Sequence, residues 1–566
     1  MEAMVPDTQR AVQLLGPDRL AVNRAKTVPA PGPHQILCRV EAVGLCFSDL
    51  KLLKQFADHP RKSEVVAGLD RDTLSQIPSY VPGQLPTVPG HEVVVRIWAT
   101  GPGITQFRRG ERYLVQTDYR WLRTAGANAA FGYNFEGALQ EYVLMDERVI
   151  TSPEGETMLI PASSELSAAA VALVEPWACV ENSYRTRERQ TLKAGGEMLV
   201  VAEEALLPQT PSLRRERLHG LLSSYGRPAR ITWVGAGAAS GVGARVRRVG
   251  ALDQLEASTY DDIVYLGSRA ETIERLWDRA APRALVNIAL CGGRLERRVQ
   301  TAVGSVHYRG MRIIGTTGPD PAAAMARIPA CGEIRENDRI NVIGAAGPMG
   351  AMHVIRDLCQ GVAGVSVWGG DVDDERLAVL RRMAEPLARE RGLTFRAYHA
   401  ARERTAEPFT YVVVMVPVPK IAAETVDTAG EGAIINIFAG ISAGLTAGVD
   451  VNRYIEKGMY FAGTSGSVVE DMRAVLAKID AGALDTNLSV AAISDLDGAV
   501  EGLRAVESRA IAGKIVVYPG CHELGLVRLT ELPDRLPAVA EKVKDGVWTR
   551  EAEQVLLNMC GGGKSG

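Results

Sequence analysis

Three short segments near the start of the chain carry side chains that could hold a metal. Gly44-Leu45-Cys46-Phe47-Ser48-Asp49 offers a thiolate, and Pro89-Gly90-His91-Glu92 offers an imidazole and a carboxylate. Val174-Glu175-Pro176 adds a second carboxylate. Thiolate, imidazole and carboxylate suit a d¹⁰ ion such as zinc, with one position left open for chemistry. Each residue alone is ordinary, since a lone cysteine is more often a core thiol and a lone histidine a turn residue. Their order upstream of a dinucleotide-type loop is what makes a metal site the reading to test.

That loop is Gly344-Ala345-Ala346-Gly347-Pro348-Met349-Gly350, between a strand at Ile340 to Ile343 and a helix through Met352 to Leu358. Gly347 lets the backbone approach a pyrophosphate, and Gly350 lets the helix pack close to the strand. The helix N-terminus supplies free N–H groups and positive dipole for the phosphates. A further strand, Val365 to Trp368, leads to Asp371, 21 residues after Gly350. An acid there bonds the ribose hydroxyls and repels a 2′-phosphate, so NAD is expected over NADP. The first glycine of the usual G-x-G-x-x-G is Ala345 here, with Gly344 before it.

These residues must be positioned by an α/β scaffold. The first 150 residues read as β-rich, with strands such as Gln35 to Val43 and Val93 to Trp98. From about Leu192, apolar strands alternate with longer amphipathic stretches, the pattern of β-α-β units around a parallel sheet. Tyr260 to Leu266 corresponds to Phe409 to Met415 at an offset of 149 residues. Gly310-Met-Arg-Ile-Ile-Gly315-Thr-Thr-Gly318 corresponds to Gly458-Met-Tyr-Phe-Ala-Gly463-Thr-Ser-Gly466 at an offset of 148. The repeat predicts two tandem Rossmann-like modules, residues 191–332 and 333–483. Where the second has its glycine loop, the first has Glu203-Glu204-Ala205 after the strand Leu199 to Ala202. Carboxylates would repel a pyrophosphate there. The glycines between Gly235 and Gly241 follow the module's second strand instead. The first module is therefore expected to be degenerate, a scaffold or subunit contact more readily than a second ligand site.

Composition excludes several classes. The 566 residues are 46% hydrophobic and 23% charged, which rules out a disordered chain. The net charge of −3 gives no field for nucleic acid or an anionic membrane. No apolar run is long enough for a membrane span, and no signal-peptide core opens the chain, so a cytoplasmic protein is expected. Eight cysteines are scattered without a C-x-x-C pair, which argues against a disulfide framework. The 57 glycines beside 5% aromatics fit many strand-to-helix turns. Gly561 to Ser565 lacks the glycine spacing and following helix of a phosphate loop. Arg214, Arg215 and Arg217, and Arg245, Arg247 and Arg248, read as surface clusters.

Gly44-Leu-Cys46-Phe-Ser48-Asp49, Gly90-His91-Glu92, Gly137-Ala-Leu-Gln-Glu-Tyr142, Glu175-Pro176 and Ala346-Gly347-Pro348-Met349-Gly350 together resemble the zinc-dependent medium-chain dehydrogenase/reductase superfamily. Within it the sorbitol and threonine dehydrogenase branch is nearest. Asp371 to Leu377, Gly463 to Ser467, Glu470-Asp471-Met472 and Gly546 to Leu556 are most similar to L-sorbose-1-phosphate reductase-like proteins.

The resemblance implies a GroES-like catalytic domain formed by residues 1–190 and completed by residues 484–566. It implies catalytic zinc on Cys46, His91 and Glu92, with Glu175 a fourth or water-linked ligand. Ser48 would be the first proton relay and Asp49 a partner behind the ligands. Zinc would lower the pKa of a substrate hydroxyl and hydride would pass to nicotinamide, in a dry, shaped cleft. One catalytic zinc and no structural zinc is expected, since no cysteine lies between Cys46 and Cys179. The implied substrate is a polyol, sugar or sugar phosphate, and a homo-oligomer is implied. Two other readings stay open: transient oxidation by tightly held NAD in an epimerase or lyase, and a non-catalytic NAD(H) sensor or scaffold. An insertion at about Asp58 to Pro86 is expected to reshape the cleft. Arg120 and Arg123 could clamp a phosphate but read more simply as exposed arginines.

Overall fold

The computed structural model describes residues 5–203, 211–235, 245–405 and 408–561. The chain forms two compact units, residues 1–179 with 467–566, and residues 180–466.

The first unit is built on an antiparallel sheet. Its order is Leu159–Pro161, Arg112–Val115, Glu92–Thr100, Gln35–Gly44, Lys514–Val517, Val490–Ser494 and Val527–Arg528, and Tyr142–Asp146 also pairs with Gln35–Gly44. Val490–Ser494 and Lys514–Val517 run parallel, the exception in this sheet. The strand Gln35–Gly44 is central and mostly buried, with its apolar residues inside and Arg39 exposed. The chain after residue 484 returns here: Val516 and Val517 pair with Gly44 and Val43. That return brings distant residues to the end of the strand that precedes Cys46.

The second unit holds two parallel six-stranded sheets. In the first, β1 (Glu197–Ala202), β2 (Arg230–Gly235), β3 (Arg245–Val249), β4 (Tyr260–Leu266), β5 (Ala280–Ala289) and β6 (Arg312–Thr316) lie in the order β3-β2-β1-β4-β5-β6. In the second, β7 (Arg339–Ile343), β8 (Ser366–Asp371), β9 (Thr394–His399), β10 (Phe409–Val414), β11 (Ala429–Ile437) and β12 (Tyr460–Ala462) lie in the order β9-β8-β7-β10-β11-β12. Both orders are that of the doubly wound dinucleotide fold, with the topological switch between the first and fourth strands. The chain is thus α/β, a β-rich unit joined to two tandem Rossmann-like modules.

One sequence expectation gains detail and another changes. Arg245, Arg247 and Arg248 are exposed, as expected, and they lie on an edge strand, β3, whose backbone pairs with β2. Cys521 and Cys560 form a disulfide, and the other six cysteines are free. No spacing signal announces that bond: it forms because the C-terminal helix Arg550–Gly561 carries Cys560 back to Cys521. Glu204, Ala205, residues 236–244, the side chains of Arg214 and Arg215, and the tail after Gly561 lie outside the described residues.

Candidate active site

Cys46 sits at the start of helix Phe47–Gln55, directly after the strand that ends at Gly44. Asp49, in the first turn, accepts the Cys46 backbone N–H at 3.0 Å through Oδ2, which fixes the helix start. Its Oδ1 lies 3.0 Å from His91 Nδ1. His91 and Glu92 enter at the start of the neighbouring strand, where Glu92 pairs with Gly44. The sheet therefore sets Cys46, His91 and Glu92 side by side, with a ligand atom of each within 4.8 Å of the others. Ser48 Oγ lies 3.0 Å from Cys46 Sγ and 3.0 Å from His91 Nε2. The imidazole is thus held from behind by a carboxylate and presents Nε2 towards the thiol, the arrangement that orients a metal-ligating histidine.

The donor set fits zinc. Thiol, imidazole and carboxylate are present, all within one ion's reach and largely buried. Glu92 is fully buried, and its Oε2 has no hydrogen-bond partner in the protein. Gly44 makes room for that carboxylate, since a Cβ there would lie 2.2 Å from Glu92 Oε2. Burial opposes charge on His91, but Asp49, Tyr133 and the Cys46 thiol outweigh it and raise its pKa well above the usual value.

Two neighbours were not foreseen from the sequence. Lys514 Nζ lies 2.5 Å from Glu92 Oε1, and both side chains are buried. Burial opposes the ammonium, yet Glu92 and Cys46 keep it charged. Lys514 begins the strand Lys514–Val517, and nothing in the sequence announced a partner for Glu92. Tyr133 packs its ring 5.9 Å from that of His91, and His59 from the insertion packs 5.0 Å from Tyr133. Arg61 lies over the same tyrosine ring at 5.7 Å. The insertion thus reaches the neighbourhood of Cys46, His91 and Glu92 through one aromatic ring.

Glu175 lies outside the 4.8 Å set. It begins helix Val174–Arg185, and its Oε1 accepts from Cys179 Sγ at 3.7 Å. Burial raises the Glu175 carboxyl, Glu92 adds to the effect, and His91, Lys514 and Cys179 oppose it. Arg120 donates to the Ser467 carbonyl at 2.7 Å and to Asp118 at 3.1 Å, and Arg123 donates to Asn128 Oδ1 at 2.5 Å. Both arginines have partners within their own unit.

In the second unit, β7 runs into Gly344, whose φ of +85° suits glycine, and on to helix Pro348–Cys359 with Gly347 as N-cap and Pro348 in its first turn. The loop is tied to β8: the Gly344 and Ala345 N–H groups donate to Gly370 O at 2.8 and 3.0 Å. A Cβ on Gly350 would lie 2.2 Å from Gly344 O, so only glycine lets this helix approach its strand. Asp371 ends β8, accepting from Ala346 N at 3.1 Å and from Val372 N at 2.8 Å. It braces the loop. Met349 lies in the first turn of the helix, beside the loop.

The first module differs at the matching position. β1 and β7 pair equivalently with their neighbours, which sets Ala202 at the Gly344 position and Glu203 at that of Ala345. The Glu203 carboxylate accepts from Tyr265 at 2.6 Å and Thr272 at 2.8 Å, with Arg269 at 3.9 Å. It fills the mouth of the turn with a fixed anion.

Comparison with known proteins agrees with this architecture. Residues 32–154 match the alcohol dehydrogenase GroES-like domain. The first unit therefore contains a GroES-like domain. Alcohol dehydrogenases of Rhizobium meliloti (strain 1021) and Moraxella sp. (strain TAE123) are each 28% identical over 134 residues, 21% and 22% of this chain. The match spans about a third of those relatives, 32% and 33% of their lengths. The crystal structure of 2R,3R-butanediol dehydrogenase from Bacillus subtilis is similar with a TM-score of 0.52 at 14% identity, over 90% of this chain and 100% of that one. The likeness to that structure is one of fold.

Proposed function

We propose that this protein is a zinc-dependent, NAD-linked oxidoreductase that interconverts a secondary alcohol and a ketone on a polyol, sugar or sugar phosphate. The observation that carries the reading is the buried set Cys46, His91 and Glu92 with the Ser48 hydroxyl against it. The resemblance to the polyol branch supports the substrate class, and the glycine loop with Asp371 supports NAD.

Cys46, His91 and Glu92 would hold the zinc, with Glu175 direct or through water. When bound, zinc supplies Lewis-acid polarisation of a substrate oxygen, and the dinucleotide supplies the hydride acceptor or donor. The chain's own residues do the rest. Asp49 holds the proton on His91 Nδ1, leaving Nε2 as the ligand atom. Ser48 Oγ takes the hydroxyl proton in oxidation and returns it in reduction. Lys514 pairs with the second Glu92 oxygen in a buried place. Gly347 and the first turn of helix Pro348–Cys359 would receive the pyrophosphate, and Asp371 the adenosine ribose.

The expected partners are small molecules and a second copy of the chain, without nucleic acid or membrane. Among the described residues no helix is long and apolar enough to cross a membrane. A cytoplasmic setting is part of the proposal; six free cysteines support it, and the Cys521–Cys560 bond would have to persist there.

The test is metal analysis, NADH binding by fluorescence, and a screen of polyols, sugars and their phosphates followed by NADH absorbance. Stoichiometric zinc, NADH binding and turnover are expected, and Cys46→Ala should lose zinc and turnover while still binding NADH. Protein that binds neither zinc nor NADH overturns the reading. Turnover with no net NADH would move it to transient oxidation.

A further inference from the structure

The two modules of the second unit meet through equivalent surfaces. Val299–Thr301 pairs antiparallel with Ala447–Val449, in the register Val299↔Val449, Gln300↔Gly448, Thr301↔Ala447. The sequence repeat places residues 148 apart in equivalent positions. Gln300 and Gly448 are therefore each other's counterparts, and the outer pairs interchange: Val299 matches Ala447, and Thr301 matches Val449. A two-fold axis through the Gln300–Gly448 pair produces this reciprocity, which marks an isologous contact.

Other contacts repeat it. A Cβ on Gly315 would lie 2.6 Å from Ile455 Cδ1, and a Cβ on Gly463 would lie 3.4 Å from His307 Cα. Gly463 is the counterpart of Gly315, and His307 that of Ile455. On one side the Asn452 side chain accepts from Leu295 N at 2.9 Å and donates to Leu295 O at 3.0 Å. On the other, Ser305, one residue after the Asn452 counterpart Gly304, donates through Oγ at 3.0 Å to the carbonyl of Ala443, the counterpart of Leu295. The terminal strands β6 and β12 face each other, and Arg312 of β6 donates to Gly463 O at 3.0 Å. One apolar cluster runs through the contact, joining Val299, Val303 and Ile313 to Val449, Ile455 and Phe461.

We propose that the first module is a built-in mate: it occupies the face through which the second module would otherwise pair with a copy of itself, and no second chain binds there. A mate needs the contact face but not the phosphate loop, which accounts for Ala202 at the Gly344 position and Glu203 directly after it. The covalent link holds the two faces at an effective concentration that no free subunit needs to match. Any association of whole chains uses a different surface. This inference does not depend on zinc, NAD or turnover.

Cross-linking of the full-length protein tests it. Gly448 has room for a side chain, with Gln300 Nε2 3.5 Å from its would-be Cβ. The double variant Gln300→Cys/Gly448→Cys should form a 300–448 disulfide within one chain on mild oxidation, seen by peptide mass spectrometry and by migration as a monomer. Neither single variant should yield a covalent dimer through the introduced cysteine. A covalent dimer from Gln300→Cys alone or Gly448→Cys alone would mean that two chains meet at this axis, and one from the double variant would mean that modules exchange between chains. Either result overturns the proposal, as does a folded double variant with no 300–448 bond. Hydrogen exchange on the unaltered protein covers a variant that does not fold. Protection of β6 and β12 should be unchanged on hundredfold dilution, and protection lost on dilution would equally overturn it.

Discussion

The residues nearest the chemistry are tied to others by burial. Glu92 and Lys514 are both desolvated, and removing one partner of such a pair typically costs about 3–5 kcal/mol. Lys514→Met should lower stability by about that amount in urea unfolding of the zinc-free protein, while adding Glu92→Gln should restore most of it. A Lys514→Met protein as stable as the parent would mean that Glu92 is not held as an ion. Asp371→Ala should weaken NADH binding and narrow the preference over NADPH, by about tenfold or more for a charge-assisted contact of about 1.5 kcal/mol. Equal titrations of parent and variant with both cofactors would remove Asp371 from the ribose site. Cys46, Ser48, Asp49, His91 and Glu92 were legible because they lie in two short motifs. Lys514 was not, because it follows Glu92 by 422 residues and only the returning strand brings it back.

At the scale of elements, helix Pro348–Cys359 links binding to stability. Gly350→Val would push a side chain into the Gly344 carbonyl and Ala345, so it should abolish NADH binding while leaving zinc content unchanged. Zinc loss in that variant would mean that the damage spreads beyond the loop. The inner face of the helix carries Asp357, fully buried and bonded to the Tyr184 hydroxyl at 3.1 Å. Burial, helped by Glu333 and opposed by Arg356 and Tyr184, pushes its pKa up to about 7 from 3.8. Between those values the folded chain keeps a proton that the unfolded chain has released. This group therefore favours the fold in mild acid, and its contribution is lost as pH rises through about 7. Asp357→Asn should flatten the fall in Tm between about pH 5 and pH 8, and an unchanged slope would exclude this carboxyl as the cause. The helix and its glycine loop were readable from order and spacing. Strand β3 was not, since its exposed arginines resemble any solvated stretch until a neighbouring strand pairs with it.

For the whole molecule, the 148-residue repeat revealed two modules but not how they face each other. That orientation depends on shape at Gly315, Gly463 and the Gln300–Gly448 pair, which a linear comparison does not contain. The same holds for Cys521–Cys560, set by where the last helix docks. The module contact has one more consequence. In an assembly of identical subunits every mutation appears on both sides of the axis at once, so each change must suit its own mirror image. Here the two sides are written at separate places in one gene and can drift independently. The axis already shows it: one side presents glutamine, the other glycine.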